Sequence, residues 1–469
     1  MSSRISRSCV ALSLPAILLA MCTAFALSLY GEENPGKLSL SGFCNLSAST
    51  YLWAMEIAST PDGTPMFVGM TIGDDRKGDL FLARLPRSGG YEKVISIPLT
   101  GPGECSPSHL AILADHAWIA GVFTREVQIG GKSLKSRGHD DIFLCGISLK
   151  DGVCDFLESF GGSAADNVHG LCVSRYGVYF CGQVSEGGRF RDLSIGSADI
   201  DCYYIAKYSP TDGTLKVLSG SARTEISGAR ALSQDIDGAL WVAGWFCNEL
   251  SFGQTTYTPP IARGVPTFIG KLTPDLLPTA VFISSPDSDS WDQPWCVVPD
   301  GKGGCFYGGN YDESTVFAGA TLSNRRNGKA ISTGIVGHLD AKCKPLRATD
   351  TPSTGASRVY AIQPVGESSL FVALAVEGTA NMPGVVSEPT AGKVGVQQIL
   401  VAVLGPDMKW SHAARIAATG YAIPLGAVLL GKGDLLLEGC FQGNLDQGDF
   451  HAKAKEPGKF SVFISLPKE

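Results

Sequence analysis

At 469 residues the chain has room for two or three ordinary domains or for one large repeat domain. Its 44% apolar and 18% charged content, with 57 Gly beside 26 Pro, fits a globular β protein rich in tight turns. The formal charge of −7, with no basic stripe, argues against a nucleic-acid partner, whose phosphates would be repelled.

In chain order, Arg4 and Arg7 precede an apolar stretch from Cys9 to about Tyr30, and Ala24-Phe25-Ala26 has the small-x-small form of a cleavage site. This predicts an export signal over 1–26, cut after Ala26. Two alternatives stand beside it. One is an uncleaved anchor, since an apolar stretch of about 20 residues can just span a bilayer. The other is lipidation at Cys22 in Leu19-Ala20-Met21-Cys22, where Met21 replaces the usual small residue. All three place the body outside the cytoplasm: secreted or periplasmic if cut, tied to a membrane by the N-terminus otherwise. The chain after Ala26 keeps 36 Lys and Arg against 45 acids, a formal charge of −9, which mainly favours solubility. The body has no apolar run long enough to cross a membrane and no long amphipathic helical pattern; its apolar residues come in bursts of four to six.

A linker (27–36) leads to a spare strand at 37–44, and then one pattern recurs seven times. An apolar strand runs into Gly69, Gly121, Gly182, Gly244, Gly309, Ala373 and Gly439, at spacings of 52, 61, 62, 65, 64 and 66. A self-similar β unit of this length predicts an all-β repeat fold, most simply a seven-bladed β-propeller of four-stranded antiparallel blades. The blades are expected at about 51–104, 105–163, 164–224, 225–287, 288–353, 354–416 and 417–469. In the fifth, Trp295-Cys296-Val297-Val298 meets the turn Pro299 to Gly303, and Cys305-Phe306-Tyr307 ends at Gly308-Gly309. A third strand, Gly334 to Leu339, and a fourth around Pro345 to Ala348 complete the unit. Gly63, Gly238, Gly303 and Gly433 all sit six before the anchor, as expected of a turn position with positive φ. The seventh unit ends after its third strand, so residues 37–44 are expected to complete it from outside and remove an exposed edge.

The Asp-x-x-Gly turns, the aromatic strands ending in Gly, and third strands such as Asp79-Leu80-Phe81-Leu82-Ala83-Arg84 resemble the bacterial propeller repeat called SBBP. The match spans nearly all of 51–466. It is best over Asp166 to Leu339 and weakest where Ala373 replaces the glycine and where Glu438 interrupts the apolar strand. The resemblance implies an exported propeller.

Twelve cysteines follow Cys9 and Cys22. Cys145 with Cys154, Cys172 with Cys181, and Cys296 with Cys305 share one spacing across a turn. That places partners roughly opposite each other on antiparallel strands, as cross-strand disulfides or as buried small hydrophobes.

First strands of propeller blades line the central channel, so Met55, His109, His169, Arg230, Trp295 and Tyr360 are expected to converge on one mouth. Such a cationic, aromatic ring can bind a polar or anionic ligand, or simply fill the channel. His109 and His169 lack a third metal ligand, no i, i+4 histidine pair brackets a glutamate, and neither a Gly-x-Ser-x-Gly elbow nor a phosphate loop occurs. No catalytic set, metal or cofactor is therefore implied. The recurring Asp79, Asp141 and Asp201 read as turn-forming residues. The longest segments, 124–139, 185–199, 248–265, 310–333 and 377–396, are the expected surface for a protein or glycan partner. The reading is an exported binding or scaffold module; the alternative is an extracellular hydrolase or lyase acting on carbohydrate or a related polymer.

Overall fold

Each apolar burst becomes a strand, and the strands follow one another as antiparallel meanders. The computed structural model describes residues 38–46, 53–71, 78–185, 187–195, 201–220, 226–259, 264–286, 290–323, 325–326, 329–366, 368–383, 385–387, 396–430, 433–448 and 450–466. The expected export signal 1–26 with Cys22, the linker 27–36 and Lys37 lie outside the described residues. The described residues contain no α-helix.

The fourth unit shows the frame: Ile226–Gln234, Leu240–Cys247, Thr267–Leu272 and Pro278–Ile283 pair in that order, from inner to outer strand. Inner strands of the other units are Trp53–Ser59, Cys105–Leu113, Asn167–Ser174, Gln293–Pro299, Ser357–Val365 and Tyr421–Leu429. The first two meanders join into one sheet where Leu99 and Thr100 pair with Ile129 and Gln128. The last unit takes its outermost strand from the other end of the chain: Ser39, Leu40 and Ser41 pair with Ser465, Ile464 and Phe463.

Successive inner strands touch one another along the chain, and Tyr421–Leu429 returns to touch Trp53–Ser59. The apolar clusters sit between consecutive sheets. One holds Trp118, Ile142, Phe160, Phe180 and Tyr204 around the second and third units; another holds Phe67, Phe81, Leu436 and Phe463, from the first and last. Middle strands are therefore covered on both faces. Cys305–Tyr311 and Thr333–Leu339 are buried at every residue, which is why they read as continuous apolar runs without alternation. Meander sheets stacked face to face, with inner strands in mutual contact, make this an all-β fold of the propeller type.

In five of the seven units the repeated glycine has a specific cause, whereas Gly309 faces Ile335 and is held bare by the Gln293 carbonyl, 2.2 Å from where a Cβ would stand. Gly69, Gly121, Gly182, Gly244 and Gly439 lie opposite Phe81, Phe143, Tyr204, Phe268 and Phe460 on the third strands. A Cβ on Gly244 would stand 2.5 Å from the Phe268 ring and 2.3 Å from the Gly228 carbonyl; one on Gly439 would stand 2.5 Å from Phe460. The ring lies across the bare backbone, filling space that a side chain would occupy. Ala373 faces Val401. No ring crosses it, so a methyl group fits. The turn glycines Gly63, Gly238, Gly303 and Gly433 have φ of 81°, 90°, 88° and 82°, in the left-handed region that other residues avoid.

Segments between second and third strands fold as small hairpins, each anchored by a buried side chain. Phe190 packs on Phe160 and Tyr204, Phe252 on Tyr203 and Phe268, and Phe317 on Phe282 and Tyr307. These segments, expected as free partner surface, thus spend part of their length capping the sheets.

The glycine pairing sets a test. Gly244→Ala is expected to destabilise the protein by about 1–3 kcal/mol through overpacking. Ala373→Gly should cost only about 0.5–1 kcal/mol, the price of added chain freedom. Urea melts of both variants check this; equal losses would show that the ring contact is not what selects glycine.

Candidate functional site

Every inner strand breaks register once, near its start. The breaks fall between Ala54 and Glu56, Pro107 and His109, Val168 and Gly170, Ala229 and Ala231, Pro294 and Cys296, Val359 and Ala361, and Pro424 and Gly426. The extra residue is Met55, Ser108, His169, Arg230, Trp295, Tyr360 or Leu425. A β-bulge leaves that residue unpaired and re-aims its side chain. In an antiparallel meander this end of the inner strand shares its edge with the inserted hairpins, so bulges and hairpins rim the same mouth.

Consecutive bulge residues meet there. The Arg230 guanidinium lies 3.9 Å from the Trp295 ring centroid, and the Trp295 and Tyr360 centroids are 4.8 Å apart. Trp295 Nε1 donates to Asn310 Oδ1 at 2.8 Å, and Asn310 Nδ2 donates to Ser332 Oγ at 2.9 Å, which holds the indole in place. His169, Arg230, Trp295 and Tyr360 thus occupy equivalent positions, as expected.

His109 does not. It follows the bulge, and Ser108 holds the equivalent place. His109 Nδ1 lies 2.9 Å from Glu56 Oε2, and Nε2 lies 3.3 Å from the Val168 carbonyl. The Leu110 N–H donates to the same Glu56 oxygen at 2.8 Å. One imidazole thus ties three inner strands together. Burial disfavours its charged form, but the Glu56 charge and hydrogen bond, with the Val168 carbonyl, outweigh this and raise its pKa. With both ring nitrogens facing acceptors, His109 is a clamp with no lone pair for a metal or ligand. The sequence signal for the true position is a small, β-branched or Pro residue before the bulge, at Ala54, Pro107, Val168, Ala229, Pro294, Val359 and Pro424.

Burial, then Arg230 and His109, push the His169 pKa down to about 4. Burial, opposed by Tyr360 and reinforced by Arg358, lowers Arg230. Arg358, unremarked in the sequence, brings a buried Nε with no hydrogen-bond partner among the described residues. Glu438, which interrupts the seventh apolar strand, lies opposite Gly426. It is 2% exposed, 3.6 Å from Lys459 Nζ, and its pKa is raised chiefly by burial.

The cysteines correct the reading of their spacing. No disulfide joins the twelve described cysteines, and register offsets each expected pair. Cys172 faces Tyr179, while Cys181 faces Gly170; Cys296 faces Gly308, while Cys305 faces Pro299; Cys145 faces Leu157, while Cys154 faces Ile147. The turn fixes register: Ser174 pairs with Gly177 across two residues, and that count leaves Cys172 and Cys181 out of step. Only Cys145 and Cys154 bring sulfurs into contact among the described residues of these pairs, at 3.3 Å, against about 2.05 Å for a bond. Of the repeated aspartates, Asp141 accepts the Arg137 N–H at 2.8 Å, whereas Asp79 accepts the Ser96 hydroxyl of the outer strand at 2.8 Å.

No protein-family profile matches the sequence, and no curated protein matches it. Among solved structures, the chain is similar to quinohemoprotein alcohol dehydrogenase from Comamonas testosteroni, at 10% identity over 93% of this chain and 78% of that one, with a TM-score of 0.42. It is also similar to a europium-containing methanol dehydrogenase, at 8% identity over 92% and 94%, TM-score 0.40. A third is the Pan2 WD40 domain of Neurospora crassa, at 9% identity over 78% and 90%, TM-score 0.36. Superpositions this loose carry no chemistry across.

The buried imidazole sets a pH test. His169 stays neutral in the folded protein down to about pH 4, facing Arg230 and His109, with Glu56 beside the latter. The unfolded chain takes up a proton at its histidine near pH 6.5, so this contribution to stability is complete above 6.5 and is lost as pH falls toward 4. His109 runs oppositely: its raised pKa stabilises below 6.5, and the gain fades as pH rises through that value. Relative to His169→Gln, the parent protein is expected to lose roughly 2 kcal/mol more between pH 7 and 4.5. Parallel stability curves in denaturant melts would contradict the assignment.

Proposed function

We propose that the chain is a closed seven-bladed β-propeller of the SBBP type, exported from the cytoplasm, that works as a binding module through the bulged mouth. Closure is supported by the return of the seventh inner strand to the first and by the pairing of Ser39–Asn45 with the C-terminal strand. Export is supported by Arg4, Arg7 and the Ala24-Phe25-Ala26 site.

The observation that carries the binding reading is the repetition of the bulge. A bulge forfeits ladder pairing, and packing between the sheets does not require one. The break recurs in all seven inner strands, and the residues it frees vary while the surrounding frame repeats. The partner is a protein or a glycan. The rival hydrolase needs carboxylates facing the cleft, but Glu56 is committed to His109 and Leu110, and Glu438 is buried.

Deleting residues 38–46 removes buried Leu38, Cys44 and Leu46 and exposes the edge of the last sheet. The expected loss is about 4 kcal/mol or more, with aggregation on heating; an unchanged melting temperature would refute closure. For function, the purified protein is screened on a glycan array and in polysaccharide turnover. Any ligand found should bind at least about tenfold more weakly to Trp295→Ala. Retention of full affinity would move the site away from the mouth, and turnover would favour the enzyme.

A further inference from the structure

The mouth gathers positive charge on an acidic protein. Arg230 is on the fourth inner strand and Arg358 on the sixth, with Trp295 of the fifth between them in chain order. Neither arginine makes an ion pair or a side-chain hydrogen bond among the described residues; Arg230 has only the faces of Trp295. The two guanidiniums are close enough for Arg358 to disfavour the charge on Arg230. The carboxylate at this level, Glu56, is taken by His109 and Leu110 N–H, and the pair favours the charged form of His109. The chain carries 45 acids against 38 bases, yet among the described residues no carboxylate pairs with either arginine. Half-buried like charges without a counter-ion raise the energy of the empty fold, and an anion arriving between them would lower it.

We propose that the mouth binds an oxyanion, a carboxylate or sulfate, between Arg230 and Arg358, with His169 alongside. This rests on the mouth being the binding surface and names what it recognises. Guanidinium groups supply fixed pairs of N–H donors matched to two oxygens of such a group. The Trp295–Tyr360 stack supports Arg230 from one side, so its charge is positioned before the ligand arrives. His169 is kept neutral first by burial and then by Arg230 and His109, and an anion that offsets those two charges favours its service as a third donor.

The probes are sodium sulfate, galacturonate and the neutral sugar galactose, titrated into the full protein against sodium chloride of equal ionic strength, by calorimetry and thermal melts. Sulfate and galacturonate are expected to give saturable binding and a raised melting temperature, and galactose neither. Comparable sulfate and galacturonate affinities identify a free oxyanion site; a clear preference for galacturonate identifies an acidic saccharide. Arg358→Gln should weaken binding about tenfold or more. The same change should raise the melting temperature of the ligand-free protein, because a repelling charge is gone; a merely structural arginine would lower it. Arg415→Gln, which removes another partnerless Nε on an outer strand, should leave binding unchanged. Sulfate and galacturonate effects no larger than chloride, or unaltered in Arg358→Gln, would overturn the oxyanion assignment. Should a neutral glycan then bind in a Trp295-dependent way, the binding-module reading would survive without it.

Discussion

The structure depends on sheets that must be covered on both faces. Middle strands such as Cys305–Tyr311 expose nothing, so no unit is stable without a neighbour on each side. Close stacking in turn requires thin places in each sheet, and these are the glycines beneath Phe81, Phe143, Tyr204, Phe268 and Phe460. Ring and bare backbone together replace a pair of ordinary side chains at the same thickness. Ala373 under Val401 obeys the same volume rule with different residues. The recurrence along the chain is therefore a recurrence of shape, of which glycine is the commonest expression.

A frame this repetitive frees its inner rim to vary. The bulge takes one residue per inner strand out of the ladder, so its identity no longer matters to pairing. Methionine, serine, histidine, arginine, tryptophan, tyrosine and leucine occupy the seven places. Next to them, the Glu56–His109–Val168 clamp does the opposite: it uses side chains to bind three strands together and withdraws one carboxylate from the mouth.

Glu438 shows how tolerant the frame is of a local exception. An acid within a buried strand is costly, and here the nearby Lys459 offsets part of that cost. The hairpins behave similarly. They vary in length and sequence, yet Phe190, Phe252 and Phe317 return to the core, so their outer parts alone are available for contact.

The sequence by itself determined the repeating β unit and the turn glycines with positive φ, and it picked out four residues, His169, Arg230, Trp295 and Tyr360, that share the bulge position. Those features are local: a strand period, a backbone conformation, a position counted from an anchor. Tertiary structure decided what depends on register and on neighbours far along the chain. A two-residue turn put Cys172 and Cys181 out of step, a one-residue bulge moved His109 from the mouth into a clamp, and folding brought Arg358 near enough to Arg230 for their charges to interact. A shift of one residue in a ladder reverses where a side chain goes, and charges meet only when folding brings their strands together; neither is written in the order of the residues.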